Sequence, residues 1–402
     1  MQASETQPLS GIKVVDFTQV MLGPVCTQAL ADYGADVIKI ERPGAGDLSR
    51  TSIADDPAGH QNPVFQSLNR NKRSIALDLR KEEAKAVVLD LVRGADVVVS
   101  NFRAGVMERM GFGYEALAAV NPRIIWAFGS GFGTAGPLSH KGGQDILAQA
   151  LSGVMSRRAD ESTPRTIYPT ALADYTAGMH LVQAILLALL QREKTGKGQA
   201  VSVSLFESML AMQVQEAAML LQRNTNLNWA AFPLTGVFET TDGAIVLVGA
   251  FKANPLKDIS AALGVADLSL EPRFSSFASQ MENKAALHAI FRAKFASDST
   301  AHWLAKLEEQ DLLCAPVLTL AEALEHGQTE TNRSVMDVDG KPRQLLRSPL
   351  TMDASAFQLR HLPPVLGGDG RAVLAEAGYS SERIQALIDA GIVAGDRRGA
   401  AA

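Results

Sequence analysis

The chain has 402 residues, 47% hydrophobic and 20% charged. That is a globular composition with enough apolar side chains for large cores, and it excludes disorder, collagen and a coiled coil. Lys plus Arg number 38 against 43 Asp plus Glu, a net charge of −5 with no Lys/Arg run, so no nucleic-acid partner is expected. Cys26 and Cys314 are the only cysteines, too few for a disulfide framework or a metal cluster, which suits a reducing cytoplasm. The length calls for roughly two or three domains.

Residues 1–10 are polar, with no positive stretch leading an apolar run, and no secretory signal is expected. Residues 12–17 read as a strand, and Gly23-Pro24 opens a helix to Tyr33. Gly34-Ala35-Asp36 ends that helix before a strand at 37–40. The punctuation returns at 82–99: a helix to Val92, then Gly94-Ala95-Asp96, then Val97-Val98-Val99. Two such units predict an α/β fold with a mostly parallel sheet. A strand at 124–128 precedes the glycine-rich loop 129–136.

Residues 170–191 predict a long helix whose second half is apolar nearly all round, hence buried. Its longest apolar run, near 181–190, falls short of the roughly 20 residues a membrane helix needs, so no membrane partner is expected. A strand at 199–203 feeds a helix over 205–221. Residues 223–234 read as a linker between a large domain, 1–222, and a smaller α+β domain, 235–325. Thr241-Asp242-Gly243 marks a hairpin in the smaller domain, with helices near 253–262, 281–295 and 299–308. Residues 326–365 look irregular and polar. The segment 326–402 returns to the large domain and closes with a helix capped by Ser380 and ended by Gly391.

Several standard chemistries have no motif here: no Gly-x-x-x-x-Gly-Lys-Ser/Thr, no Gly-x-Ser-x-Gly and no His-Glu-x-x-His. The seven histidines are scattered, and no metal site is expected. Gly129, Gly131, Gly133 and Gly136 have the wrong spacing for a dinucleotide loop and read as a surface loop needing positive φ. Asp16, Asp36, Asp96, Asp145 and Asp174 are the notable acids, with Asp36 and Asp96 read as turn residues. Asp174 opens the most apolar helix. It is either a helix cap or a carboxylate kept ionised by the helix dipole and able to attack an electrophile. Arg42, Arg103 and Arg109 follow strand ends and are either solvated loop charges or phosphate partners, since ligands of open α/β sheets gather there and arginine suits phosphates.

Taken in order, the motifs form a series. Leu9-Ser10-Gly11-Ile12-Lys13-Val14-Val15-Asp16-Phe17 comes first, then Gly23-Pro24, residues 34–41 and Gly46-Asp47. Residues 71–75, Asp96 to Phe102, Arg109-Met110-Gly111, Asn121-Pro122-Arg123, residues 194–199 and Gly378-Tyr379-Ser380 follow. This series resembles the class III CoA-transferases, the CaiB/BaiF family of formyl-CoA and carnitine CoA-transferases, which also contains 2-methylacyl-CoA racemases. The resemblance covers nearly the whole chain. It implies a Rossmann-like large domain, a smaller domain and an interlocked homodimer. It implies Asp174 as the aspartate that carries the acyl group and then CoA. Coenzyme A is implied as a co-substrate, not a tightly bound cofactor. It would lie against Val20 and Met21, with Arg42, Leu77, Arg80, Asn101, Phe102, Arg103 and Arg109 along its nucleotide and phosphates. Asp145 stands where members commonly carry an acid.

Three positions depart from relatives. Met21 stands where oxalate-handling members have glutamine. Gly249-Ala250-Phe251-Lys252 replaces their glycine-rich loop. Gln144 stands where racemases have the acid/base histidine, and glutamine cannot shuttle a proton. The expected function is therefore CoA transfer from an acyl-CoA donor to a carboxylic acid acceptor. Racemisation and a non-catalytic CoA-binding subunit are the alternatives.

Overall fold

Strands such as Val97–Ser100 are buried at every position, as a sheet covered on both faces requires. In the computed structural model, which describes residues 7–52, 62–158 and 162–394, six strands form one sheet. They are β1 (Lys13–Asp16), β2 (Asp36–Glu41), β3 (Lys72–Ala76), β4 (Val97–Ser100), β5 (Ile125–Ser130) and β6 (Ala200–Ser204). Their order is β3-β2-β1-β4-β5-β6, and every pair is parallel. This is the doubly wound order whose strand direction of travel reverses between β1 and β4.

Side chains alternate between the two faces, so adjacent residues feed different cores. Val14, Val37, Val97 and Ile125 pack with α1 (Leu22–Asp32) on one face. Val15, Ile38, Val98 and Trp126 pack on the other. That second face carries α3 (Glu82–Arg93), α4 (Val106–Arg109) and α5 (Tyr114–Val120), while the short α2 (Pro63–Asn69) packs beside α1, where Gln28 donates to the Ser67 carbonyl. Helices at Gly370–Glu376 and Ser381–Asp389 also cover it, through Val373, Leu374, Ile384 and Leu387. The first face is completed by α6 (Asp145–Leu151), α7 (Leu172–Thr195) and α8 (Leu205–Met212). α7 is long and apolar enough by composition to cross a membrane, but Ala177, Leu181, Ile185 and Ala188 lie in this core.

The contacts of the chain divide it into a unit of residues 1–154, 167–213 and 332–402 and a unit of 155–166 and 214–331. α9 (Val214–Arg223) therefore falls in the smaller unit, where Glu216 pairs with Arg157 at 3.5 Å. The expected single helix over 205–221 breaks at Gln213, which caps α8. The smaller unit is built on an antiparallel sheet of β7 (Thr235–Glu239), β8 (Ala244–Val248) and β9 (Leu313–Pro316). Against it pack α10 (Pro255–Ala262), α12 (Lys284–Phe295) and α13 (Thr300–Glu309), through Phe238, Leu256, Phe291, Phe295 and Trp303. Short helices α11 (Phe277–Glu282), α14 (Leu320–Glu325) and α15 (Gly327–Thr331) complete it.

Two expectations are corrected, and one strand has no counterpart in the sequence reading. β3 is an edge strand paired with β2, although Lys72-Arg73-Ser74 is a polar run. Its polar groups are satisfied by distant partners: Lys72 by Asp16, Arg73 by Asp36 and Ser74 by Glu41. The region 326–365 contains an antiparallel pair, β10 (Val335–Val338) and β11 (Lys341–Leu346). Its turn is Asp339-Gly340, both with positive φ, a two-residue hairpin chemistry. The second half of α7 is not buried all round, since Leu187 and Leu190 are 67% and 64% exposed.

Candidate active site

Because all six strands are parallel, every strand-to-helix loop leaves from one edge of the sheet. Arg80 lies behind β3, Arg42 behind β2, Val20 and Met21 behind β1, and Asn101, Phe102, Arg103 and Arg109 behind β4. From β3 to β4 is three inter-strand steps, about 14 Å. The predicted residues thus line the carboxyl edge, centred on the reversal between β1 and β4. Two hydrogen bonds join the loops on either side of that reversal. Gln19 donates its amide to Asn101 Oδ1, and Asn101 Nδ2 donates to the Gln19 carbonyl, both at 2.8 Å.

Asp174 sits in the first turn of α7, but the N-cap is Ala171, with no side-chain cap. The helix-cap reading of Asp174 therefore falls. The backbone amide of Asp174 is instead donated to Asp145 Oδ2 at 2.9 Å, and Gln149 Nε2 donates to Asp145 Oδ1 at 2.6 Å. Asp145 is 7% exposed; its Oδ2 ties α6 to α7, and its Oδ1 is taken by Gln149 of its own helix. The side chain of Asp174 is left available.

Two helix starts meet at that side chain. Leu22 is the first residue of α1, whose N-cap Met21 supplies no side-chain bond; it lines the cavity with Asp174, and its backbone amide favours the charged form of that carboxylate. Gly178, one turn along α7, permits the approach. A Cβ there would stand 2.8 Å from the Leu22 carbonyl oxygen and 2.8 Å from Val25 Cγ1. Burial first, and the Asp145 carboxylate second, push the Asp174 carboxyl up to about 6 from its ordinary 3.8, against the opposing pull of the Leu22 amide.

Asp174 opens onto a cavity of about 150 Å³ lined by Leu22, Asn101, Phe102, Arg103, Gly131 and Lys141, among others. The glycine-rich loop builds its far wall, and only part of the positive-φ expectation holds. Gly133 and Gly136 have φ of 90° and 87°. Gly129 and Gly131 are needed for close approach: a Cβ on Gly129 would meet Leu22 Cδ2 at 2.3 Å, and one on Gly131 would meet the Gly143 Cα at 2.4 Å. Arg103 lies across Gly142, where a Cβ would be 2.8 Å from Nη2. Lys141 is a second cation in the lining that sequence reasoning missed; its only signal was a lysine beside Gly142-Gly143.

The structure gathers Asn101, Phe102, Arg103 and Asp174 around the cavity. Other predicted positions lie elsewhere. Leu77 is 1% exposed in the core, its amide donated to the Glu41 carbonyl, because it continues β3 into the packed face. Arg80 is exposed and makes a two-point ion pair with Asp78 at 2.8 Å. Arg42 is exposed on its loop, Arg109 is exposed at the end of α4, and Val20 and Met21 form the turn into α1. Also missed was a layer of buried charge under that turn, Lys39 with Asp47 and Lys72 with Asp16, all four side chains at 0% exposure. Among the described residues, no group of three or more His, Cys, Asp or Glu side chains is placed to hold a metal ion.

The sequence model of CoA-transferase family III matches residues 9–370. The chain belongs to CoA-transferase family III. The transferase is 36% identical to the acetyl-CoA:oxalate CoA-transferase of Acetobacter aceti, over 83% of this chain and 86% of that one. It is 32% identical to the succinyl-CoA:glutarate CoA-transferase of Mus musculus, over 96% of this chain and 90% of that one. The crystal structure of a CaiB/BaiF family protein from Brucella suis superposes with a TM-score of 0.83 at 31% identity, covering 92% of the transferase and 100% of that chain.

Proposed function

We propose that this transferase moves CoA from an acyl-CoA thioester to a free carboxylic acid through two covalent states of Asp174. An Asp174 oxygen attacks the thioester carbonyl, the C–S bond breaks, and a mixed anhydride and a CoA thiolate result. The thiolate attacks the Asp174 carbonyl, the donor acid leaves as a carboxylate, and an aspartyl-CoA thioester remains. The acceptor carboxylate then attacks that thioester and expels the thiolate. The thiolate takes the acyl carbonyl of the new anhydride, and Asp174 is restored as a carboxylate.

The observation that carries this reading is Asp174 itself: uninvolved in capping, raised to about 6, and facing the cavity. It is mostly ionised at pH 7 and more basic than an ordinary carboxylate, so no separate general base is required. Donors for the tetrahedral oxyanions must come from amides and cations around it, and Leu22, Arg103 and Lys141 are at hand. The nucleotide of CoA would run along the carboxyl edge with Arg42 and Arg109 as phosphate partners. Gln144, directly before Asp145, is the N-cap of α6, and its amide cannot exchange an α-proton as racemisation demands.

The transferase acts as a homodimer in this reading. In the larger unit Leu151, Leu187 and Leu190 are more than half exposed on α6 and α7, the kind of apolar surface a second copy would cover. Incubation with acyl-CoA in deuterated water, with and without a carboxylic acid, tests the reaction. Exchange of CoA between acids without deuterium at the α-carbon is expected; α-deuteration in the absence of acid would make it a racemase.

A further inference from the structure

The turn that carries α1 to Asp174 contains a strained residue. Val20 has φ of 66°, a left-handed conformation that is an outlier for a β-branched side chain. Such strain persists only where the surroundings over-determine it. Here each residue of the turn is held separately. Thr18 donates its amide and hydroxyl to Asp16 Oδ1 at 2.8 and 2.6 Å, and its carbonyl accepts from Lys39 Nζ at 2.7 Å. Gln19 is held by Asn101 in both directions. The Val20 amide is donated to Asp47 Oδ1 at 3.0 Å.

Asp47 is itself fixed. Its Oδ2 lies 2.8 Å from Lys39 Nζ with both side chains at 0% exposure. Its amide is donated to Glu41 Oε2 at 2.9 Å, and Glu41 takes a two-point contact from Arg50 at 2.8 and 2.7 Å. Lys39 therefore grips the turn at Thr18 directly and at Val20 through Asp47. Two residues beyond Val20 is Leu22, which opens α1 and lines the cavity with Asp174.

We propose that Asp47, locked by Lys39, is a positioning residue of the reaction: it holds Val20 in the left-handed conformation and so aims the Leu22 amide and the α1 terminus at Asp174. The clamp touches no substrate. It acts by keeping a turn in a shape that its own side chain disfavours. The proposal rests on Asp174 as the attacking carboxylate.

Replacing Val20 with glycine removes the steric reason for the clamp, because glycine takes positive φ freely. A double-mutant cycle of Asp47→Ala and Val20→Gly tests the idea, with kcat at saturating acyl-CoA as the readout and urea midpoints alongside. Asp47→Ala alone is expected to lower kcat by about 10- to 100-fold, the scale of a small misplacement at a reacting centre. In the Val20→Gly background the same change should lower kcat by less than about threefold, with the urea midpoint falling similarly in both. An equal loss of kcat in both backgrounds would overturn the proposal and leave Asp47 a folding residue. If Asp47→Ala does not fold, Asp47→Asn replaces it. That variant keeps an acceptor oxygen but loses the charge held by Lys39, and its loss must also shrink in the Val20→Gly background. Asp174→Ala is assayed in parallel. If it kept turnover, the reading of the reaction would fail and the clamp with it; if it is dead while the cycle is additive, only the clamp fails.

Discussion

Two loops on the same sheet edge reach Asp174 by opposite means. The loop after β1 is rigid because side chains hold it: Asp16, Lys39, Asp47 and Asn101 grip successive residues, and Val20 is strained in consequence. The loop after β5 is close-packed because side chains are missing. Gly131 and Gly143 cross with room for no Cβ, and Gly129 lies under Leu22. Buried charge can impose a conformation that a residue resists, while glycine permits one that other residues could not enter. The first device is sensitive to losing a partner, the second to gaining an atom.

The largest expected effect lies where the loops converge. Asp174→Ala should lower turnover at least about 10³-fold, as removal of a covalent nucleophile does, while the chain still folds and binds CoA. Isothermal titration with CoA and a turnover assay check both halves. On the glycine side, Gly143→Ala should destabilise by about 1–3 kcal/mol, the scale of forcing atoms into a packed site, and reduce turnover as well. On the charged side, Val20→Gly should change stability by less than about 1 kcal/mol, since relief of strain offsets the added freedom of the unfolded chain. Urea unfolding of the two variants compares the devices directly; equal destabilisation would erase the distinction.

Arg42 and Arg109 stand behind β2 and β4, on opposite sides of the β1–β4 reversal. Each should contribute roughly 1.5–3 kcal/mol to a phosphate through charge-assisted hydrogen bonds. Truncating either should raise the KM for acyl-CoA about 10- to 100-fold and leave that for the acceptor acid nearly unchanged. An effect at only one of the two would confine the nucleotide to that side of the reversal.

The raised carboxyl of Asp174 has a consequence for stability. The folded chain holds that proton more tightly than the unfolded chain, so stability falls as pH rises from about 4 through 6 and stays lower above. The burden is about 2–3 kcal/mol at neutral pH. Asp174→Asn should therefore match the wild type in urea near pH 3.5 and exceed it at pH 7.5. An unchanged difference across that range would mean Asp174 titrates as an ordinary carboxyl.

The sequence carried the sheet well where strands were apolar: β1, β2, β4 and β5 are legible as short apolar runs, β2 and β4 with Gly-Ala-Asp punctuation, and β6 as a short strand feeding a helix. β3 was not, because Lys72 and Arg73 look like surface residues until Asp16 and Asp36, far off in the chain, are folded beside them. The same non-locality hid the clamp. Lys39 interrupts the run Val37-Ile38-Lys39-Ile40, but only the fold brings Asp47 to it. Asp174 was singled out by its place at the front of an apolar helix, yet only the position of the N-cap at Ala171 removes the cap reading. Leu77 was carried over from the family resemblance as a nucleotide contact, and its side chain is in the core.

The central claim is that Asp174 becomes covalently modified during turnover. Hydroxylamine added to the transferase while it turns over acyl-CoA and a carboxylic acid should convert the Asp174 carboxyl to a hydroxamate. Mass spectrometry of the peptide spanning residues 166–192 reads this as a mass increase at Asp174 that requires acyl-CoA. Modification at Asp174 only in the presence of acyl-CoA is the predicted result. An unmodified Asp174 peptide from an enzyme shown to be turning over would contradict the account.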